Sequence, residues 1–138
     1  MTGVHQLPGV SPMECLCRFI TVSKWVRADK TIRSDAFIPP RDLNLSVTRR
    51  LRLTEEQIWK IGQRVVDRVT GNSPAVFPGR ADILAANVFA VSLRVEAVPL
   101  TDNPNHAHIT GWPEKPARKN IAQQLAAAAR FVGIPENA

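Results

Sequence analysis

Hydrophobic positions along the chain recur at two spacings, every second residue or every third to fourth, and the spacing predicts the element. The run Cys15 to Val26, Cys-Leu-Cys-Arg-Phe-Ile-Thr-Val-Ser-Lys-Trp-Val, is rich in β-branched and aromatic residues and reads as a strand. Arg27 to Ser34 is charged and reads as a loop, and Ala36 to Ile38 as a short strand stopped by Pro39 and Pro40. Leu43, Leu45 and Val47 alternate with Asn44, Ser46 and Thr48, the pattern of a strand with one buried face. From Thr54 the period changes. Ile58, Ile61, Val65 and Val69 fall on one face of a helix, widened by Trp59 and Val66, while Lys60, Arg64, Asp67 and Arg68 lie largely off it. Thr54 followed by Gln57 is a capping box, Glu55 and Glu56 suit the positive end of the helix dipole, and Gly71-Asn72 with Pro74 ends the helix.

Asn72 to Arg80 reads as a loop and the alanine-rich stretch Ala81 to Val91 as a second helix. Arg94 to Val98 and His106 to Trp112 read as strands, closed by Pro99 and by Gly111 and Pro113. Pro116 opens a last helix with a buried stripe of Ile121, Leu125, Ala128 and Val132, stopped by Gly133 and Pro135. The order β, β, α, α, β, β, α groups the strands in pairs. It predicts an α+β domain, a small, mostly antiparallel sheet packed on one face by about three helices, rather than a doubly wound sheet. Residues 1–13 carry Pro and Gly and predict a flexible lead-in; residues 14–138 then form a single domain.

At 138 residues the chain is long enough for one continuous core without staples. No apolar run approaches the roughly 20 residues of a membrane span, and Met1 to Val10 lacks the basic and apolar regions of a secretory signal. Cys15 and Cys17 stand too close for an unstrained disulfide, so the expected compartment is the reducing cytoplasm. The chain has no glycine-rich phosphate loop, no G-x-S-x-G elbow and no H-E-x-x-H.

Charge changes the picture more. The net charge is +6, and residues 18–52 alone hold nine basic groups against three acids, so the remainder is neutral on balance. Clustering of this kind is the footprint of a polyanion-binding face. The expected contacts are Lys24, Arg27, Lys30, Arg33, Arg49, Arg50 and Arg52, with Trp25 as an exposed ring that stacks or anchors. This predicts a non-enzymatic accessory or interaction module, with nucleic acid or an acidic protein as partner.

Candidate chemistry centres on His106-Ala107-His108-Ile109-Thr110-Gly111-Trp112. Residues two apart on a strand share a face, so His106, His108 and Thr110 point together. Paired imidazoles suit a metal, or a nucleophile and its helper. The segment resembles the histidine-triad motif of nucleotide hydrolases and transferases, with Thr110 where the third histidine would stand. The resemblance implies a nucleotide or phosphoester hydrolase or transferase using His106 and His108, with His108 as nucleophile. The pair is also similar to the His-hydrophobic-His motif of rolling-circle nucleases, whose tyrosine nucleophile this tyrosine-free chain cannot supply. Cys15 and Cys17 with His106 and His108 would satisfy tetrahedral zinc if their strands adjoined; no other cofactor is implied. Trp112, between Gly111 and Pro113, reads as a corner clamp or as a partner anchor. An exposed apolar patch around Trp25 or Trp112 would mark an adaptor or immunity/antitoxin-like subunit.

Several segments together carry a broader likeness: Ala36-Phe37-Ile38-Pro39-Pro40, Asp42-Leu43-Asn44-Leu45-Ser46-Val47, Thr54-Glu55-Glu56-Gln57-Ile58-Trp59, Arg80-Ala81-Asp82 and His106 to Pro113. Over about residues 18–130 the chain resembles a group of small uncharacterised bacterial proteins. That resemblance implies a compact bacterial cytosolic domain and supplies no catalytic residue.

Overall fold

The computed structural model describes residues 7–70 and 78–135. Among them, six strands form one antiparallel sheet: β1 (Cys15–Ile20), β2 (Leu45–Arg49), β3 (Gly79–Leu84), β4 (Arg94–Ala97), β5 (His106–Thr110) and β6 (Arg130–Gly133). Their order across the sheet is β4-β5-β2-β1-β3-β6. Three helices, α1 (Glu55–Thr70), α2 (Ala85–Ala90) and α3 (Lys115–Ala128), pack on it, giving the α+β class in one domain.

The helices take both faces of the sheet, not one. Leu16 and Ile20 of β1 join the main core with Ala85 and Val88 of α2 and Ala122 and Leu125 of α3. Cys17 and Phe19, one residue out of phase, pack instead on Ile58, Ile61 and Val66 of α1. Successive strand residues point to opposite faces, so α1 lies across the sheet from α2 and α3. β1 is central and apolar at odd and even positions alike, which is why both of its faces need cover.

Thr54 and Gln57 make the expected capping box: the Thr54 amide donates to Gln57 Oε1 at 2.8 Å and the Gln57 amide to Thr54 Oγ1 at 3.2 Å. The predicted stop at Gly71-Asn72 and Pro74 lies outside the described residues, as do residues 1–6. The rest of the predicted lead-in is anchored. Val10 packs on the core, the Pro8 carbonyl accepts from Arg49, and the Pro12 carbonyl accepts from the Ala86 amide.

Four other elements differ from expectation. The chain leaves the sheet after Ile20 and turns through a 3-10 segment, Ser23–Trp25. Ala36 to Ile38 is no strand; Ser34–Phe37 is a second 3-10 turn that buries Ala36 and Phe37 in the core. β3 occupies part of the expected loop and helix, and β6 begins where the last helix was expected to continue. β3 contains Arg80 and Asp82, both buried, which local patterning treats as surface residues.

Partners from other elements compensate those charges. Arg80 donates to Asp82 at 2.9 and 3.2 Å and to Glu55 at 3.0 and 3.1 Å, with its guanidinium 4.8 Å from the centre of the Trp59 ring. Arg50 reaches the same two carboxylates at 3.2 and 2.8 Å. Burial opposes the charge on Arg80, but its bonds to Glu55 and Asp82 outweigh that and raise its pKa. The tetrad ties the start of α1 to β3 and to the end of β2. Immediately before Arg80, Gly79 opens β3 with φ +150°, and a Cβ there would clash with the Val132 carbonyl oxygen of β6. Among the described residues no helix is long and apolar enough to cross a membrane.

Candidate functional site

The face of the sheet that bears α1 is polar over β2, β5 and β4. Register sets this: Thr48 pairs with Cys17 and His106, and Ser46 pairs with His108, which also faces Glu96. Asn103 Nδ2 donates to Thr48 Oγ1 at 3.0 Å, and Asn105 Nδ2 bridges the carbonyls of Arg49 and Leu51 at 2.8 Å each, which fixes the loop entering β5. His106 and His108 share one face as expected, their rings edge-on with centroids 4.8 Å apart. His106 Nδ1 lies 2.9 Å from the Val98 carbonyl oxygen and Nε2 lies 3.2 Å from Ser46 Oγ. Burial, and then the neighbouring His106, lower the His108 pKa from its ordinary value of 6.5. Thr110 turns to Glu96, donating to its carboxylate at 3.0 Å.

Ser46 and His106 open onto a cleft of about 460 Å³ between α1 and the sheet. Trp25, Ile61, Val65 and Leu100 supply apolar walls, and Arg18 and Arg64 supply charge. Arg68 also lines it and is paired with Asp102. Arg18 donates to the Ala36 carbonyl at 2.8 Å and the Ser46 carbonyl at 3.0 Å, and it lies 5.5 Å from the centre of the Trp25 ring. Burial draws its pKa down to about 10. Sequence patterning placed Ser46 on a polar strand face but did not single it out, and it counted Arg18 in the basic segment without making Arg18 or Arg64 a contact.

The basic segment divides. Lys24, Arg27, Lys30 and Arg33 are exposed: Arg27 and Lys30 lie within a hairpin closed by the Val26–Ile32 bridge, with Lys30 at φ +71° in its turn, and Lys24 and Arg33 flank that bridge. Beside it lies an open groove of about 780 Å³ lined by Arg27, Lys30 and Arg130. Arg52 is exposed in a different loop. Arg49 is no surface cation: it is buried, holding Glu14 at 2.6 and 2.8 Å and the Pro8 carbonyl. Arg50 is taken up by Asp82 and Glu55.

Trp112 is corrected as a partner anchor. Trp112 is buried, its indole donating to the Ile109 carbonyl at 3.0 Å, so it clamps the corner before α3. Trp25 is half-buried against the core beneath Arg18. The zinc tetrad does not form either. β2 separates β1 from β5, so Thr48 stands between Cys17 and His106 in the register. Burial also pushes the Cys17 thiol far up, away from the thiolate a metal needs. Among the described residues no group of three or more His, Cys, Asp or Glu could hold a metal ion.

No family model, curated protein or solved structure matches the chain.

Proposed function

We propose that this chain is an accessory or interaction module that holds nucleic acid on its basic hairpin. One observation carries the reading. Lys24, Arg27, Lys30 and Arg33 crowd residues 24–33 with Asp29 as the sole acid there, all four exposed, and Arg130 joins them at the adjoining groove. Cations in this arrangement neutralise phosphates without reading sequence. The free thiols of Cys15 and Cys17 suit the reducing cytoplasm as the compartment.

Fluorescence anisotropy with labelled duplex DNA, single-stranded DNA and RNA tests this between about 50 and 200 mM salt. Four phosphate contacts give a log–log slope near −3.6 on duplex DNA, at roughly 0.9 per contact. The triple variant K24A/K30A/R33A is expected to lose about 2.7 of that slope, again at roughly 0.9 per contact, with its Tm unchanged. No binding at low salt, or binding indifferent to salt, overturns the reading. Capture of an acidic protein by a hairpin that ignores nucleic acid puts the protein-partner reading in its place.

A further inference from the structure

The cleft between α1 and β2/β5 has no role in polyanion binding by the hairpin, and its chemistry is different. We propose that Ser46 and His106 are a nucleophile and general base there, hydrolysing a small carboxylic ester that carries an anionic group.

A serine hydroxyl becomes a useful nucleophile only when a base takes its proton in the attack. The two hydrogen bonds of His106 decide whether it is such a base. The Val98 carbonyl can only accept, so the nitrogen 2.9 Å from it, Nδ1, carries the proton. The neutral ring then has its lone pair on Nε2, and Nε2 is the atom 3.2 Å from Ser46 Oγ. Nucleophile, base and orienting group thus stand in line, with a backbone carbonyl in the orienting place. The Val98 amide returns a bond to the His106 carbonyl at 2.9 Å, so the orienting group is itself held. Arg18 grips the Ser46 carbonyl and fixes the backbone behind the hydroxyl. His108 lies edge-on to the ring, and burial, followed by His106 itself, disfavours a proton on it.

The cleft defines the substrate class. Its volume of about 460 Å³ suits a small molecule. Val22, Trp25, Ile61, Val65, Val69 and Leu100 give it a mainly apolar lining for an acyl body. Among the described residues no carboxylate pairs with Arg18 or Arg64, so the cleft retains positive charge for one anionic group. In the reaction, Ser46 Oγ bonds to the acyl carbon while His106 Nε2 takes the hydroxyl proton. The carbon–alkoxide bond breaks, and the leaving alkoxide receives that proton and departs as alcohol. Water then attacks the acyl carbon, giving its proton to His106. The acyl–Ser46 bond breaks, the acid leaves, and Ser46 recovers its proton from Nε2.

Peptide mass spectrometry after treatment with a fluorophosphonate probe tests the pair directly, alongside turnover of p-nitrophenyl hemisuccinate and neutral p-nitrophenyl butyrate. The wild-type chain is expected to be labelled at Ser46 and to prefer the hemisuccinate. S46A, an exposed position, is expected to keep the fold by circular dichroism and to lose label and turnover. H106Q is expected to slow labelling by about 100-fold or more. R64E is expected to raise KM for the hemisuccinate about tenfold with kcat unchanged, an effect that a merely structural Arg64 would not produce. Absence of label at Ser46, or turnover that survives S46A, overturns the proposal.

Discussion

Replacing Arg80 by methionine removes a guanidinium that is 2% exposed and makes four hydrogen bonds, two to Asp82 and two to Glu55. The two carboxylates left behind fare differently. Glu55 is 54% exposed, so water replaces most of what it loses. Asp82 is 7% exposed and keeps Arg50 at 3.2 Å. Removing one partner of a buried ion pair costs about 3–5 kcal/mol, and with Arg50 still in place the lower end applies, about 3 kcal/mol. For a chain of this size that is a fall in Tm of roughly 10 °C. The companion variant R80M/D82L removes the stranded carboxylate as well and is expected to recover at least half of the loss, because the lone buried charge is the costly species. Urea denaturation followed by circular dichroism, with equal m-values across the series, measures both. A cost below about 1 kcal/mol for R80M, or a double variant less stable than R80M, refutes the reasoning. The tetrad also seats the start of α1, one wall of the cleft, so R80M is expected to loosen that wall before the sheet unfolds.

Two further outcomes follow from local geometry. T54A removes the hydroxyl that accepts from the Gln57 amide, leaving the residue-54 amide to donate to Gln57 Oε1, and is expected to cost about 1 kcal/mol in urea melts, with T54S close to wild type; equal stability of all three would show that the hydroxyl cap contributes nothing. His108 has a folded pKa below its ordinary 6.5, so the unfolded chain binds more protons there. Its contribution is complete above the ordinary value and is lost as pH falls through the depressed one, giving a falling Tm on mild acidification. H108Q should flatten that part of the curve in differential scanning fluorimetry, and an unchanged pH profile would contradict the assignment.

Short-range chemistry was legible and long-range compensation was not. α1 could be read from Thr54, Gln57 and its apolar stripe because the capping box that starts it lies within four residues. β3 could not, because Glu55, which offsets the buried Arg80, stands 25 residues upstream and joins it only in the fold. β6 was hidden by the alanine run before it, whose helical character extends past the true end of α3 at Ala128. Alternation alone put His106 and His108 on one face. Ser46 also sat on a polar face by alternation, but its meeting with His106 depends on the pairing of β2 with β5, sixty residues apart. Charge counting failed for a related reason. It located the excess in residues 18–52 but could not see that Glu14 would claim Arg49, or that Asp82 and Glu55 would claim Arg50.

The close approach at Gly79 also bears on how the molecule behaves in company. β6 is a four-residue strand along the outer edge of the sheet, and β3 lies directly beneath it. Any side chain at position 79 would push against the Val132 carbonyl and lift β6 away. The backbone groups of Gly79 to Asp82 that face β6 would then stand unpaired, a template on which another copy could add a strand. One missing Cβ thus decides whether the sheet ends on the short β6 or on the longer β3.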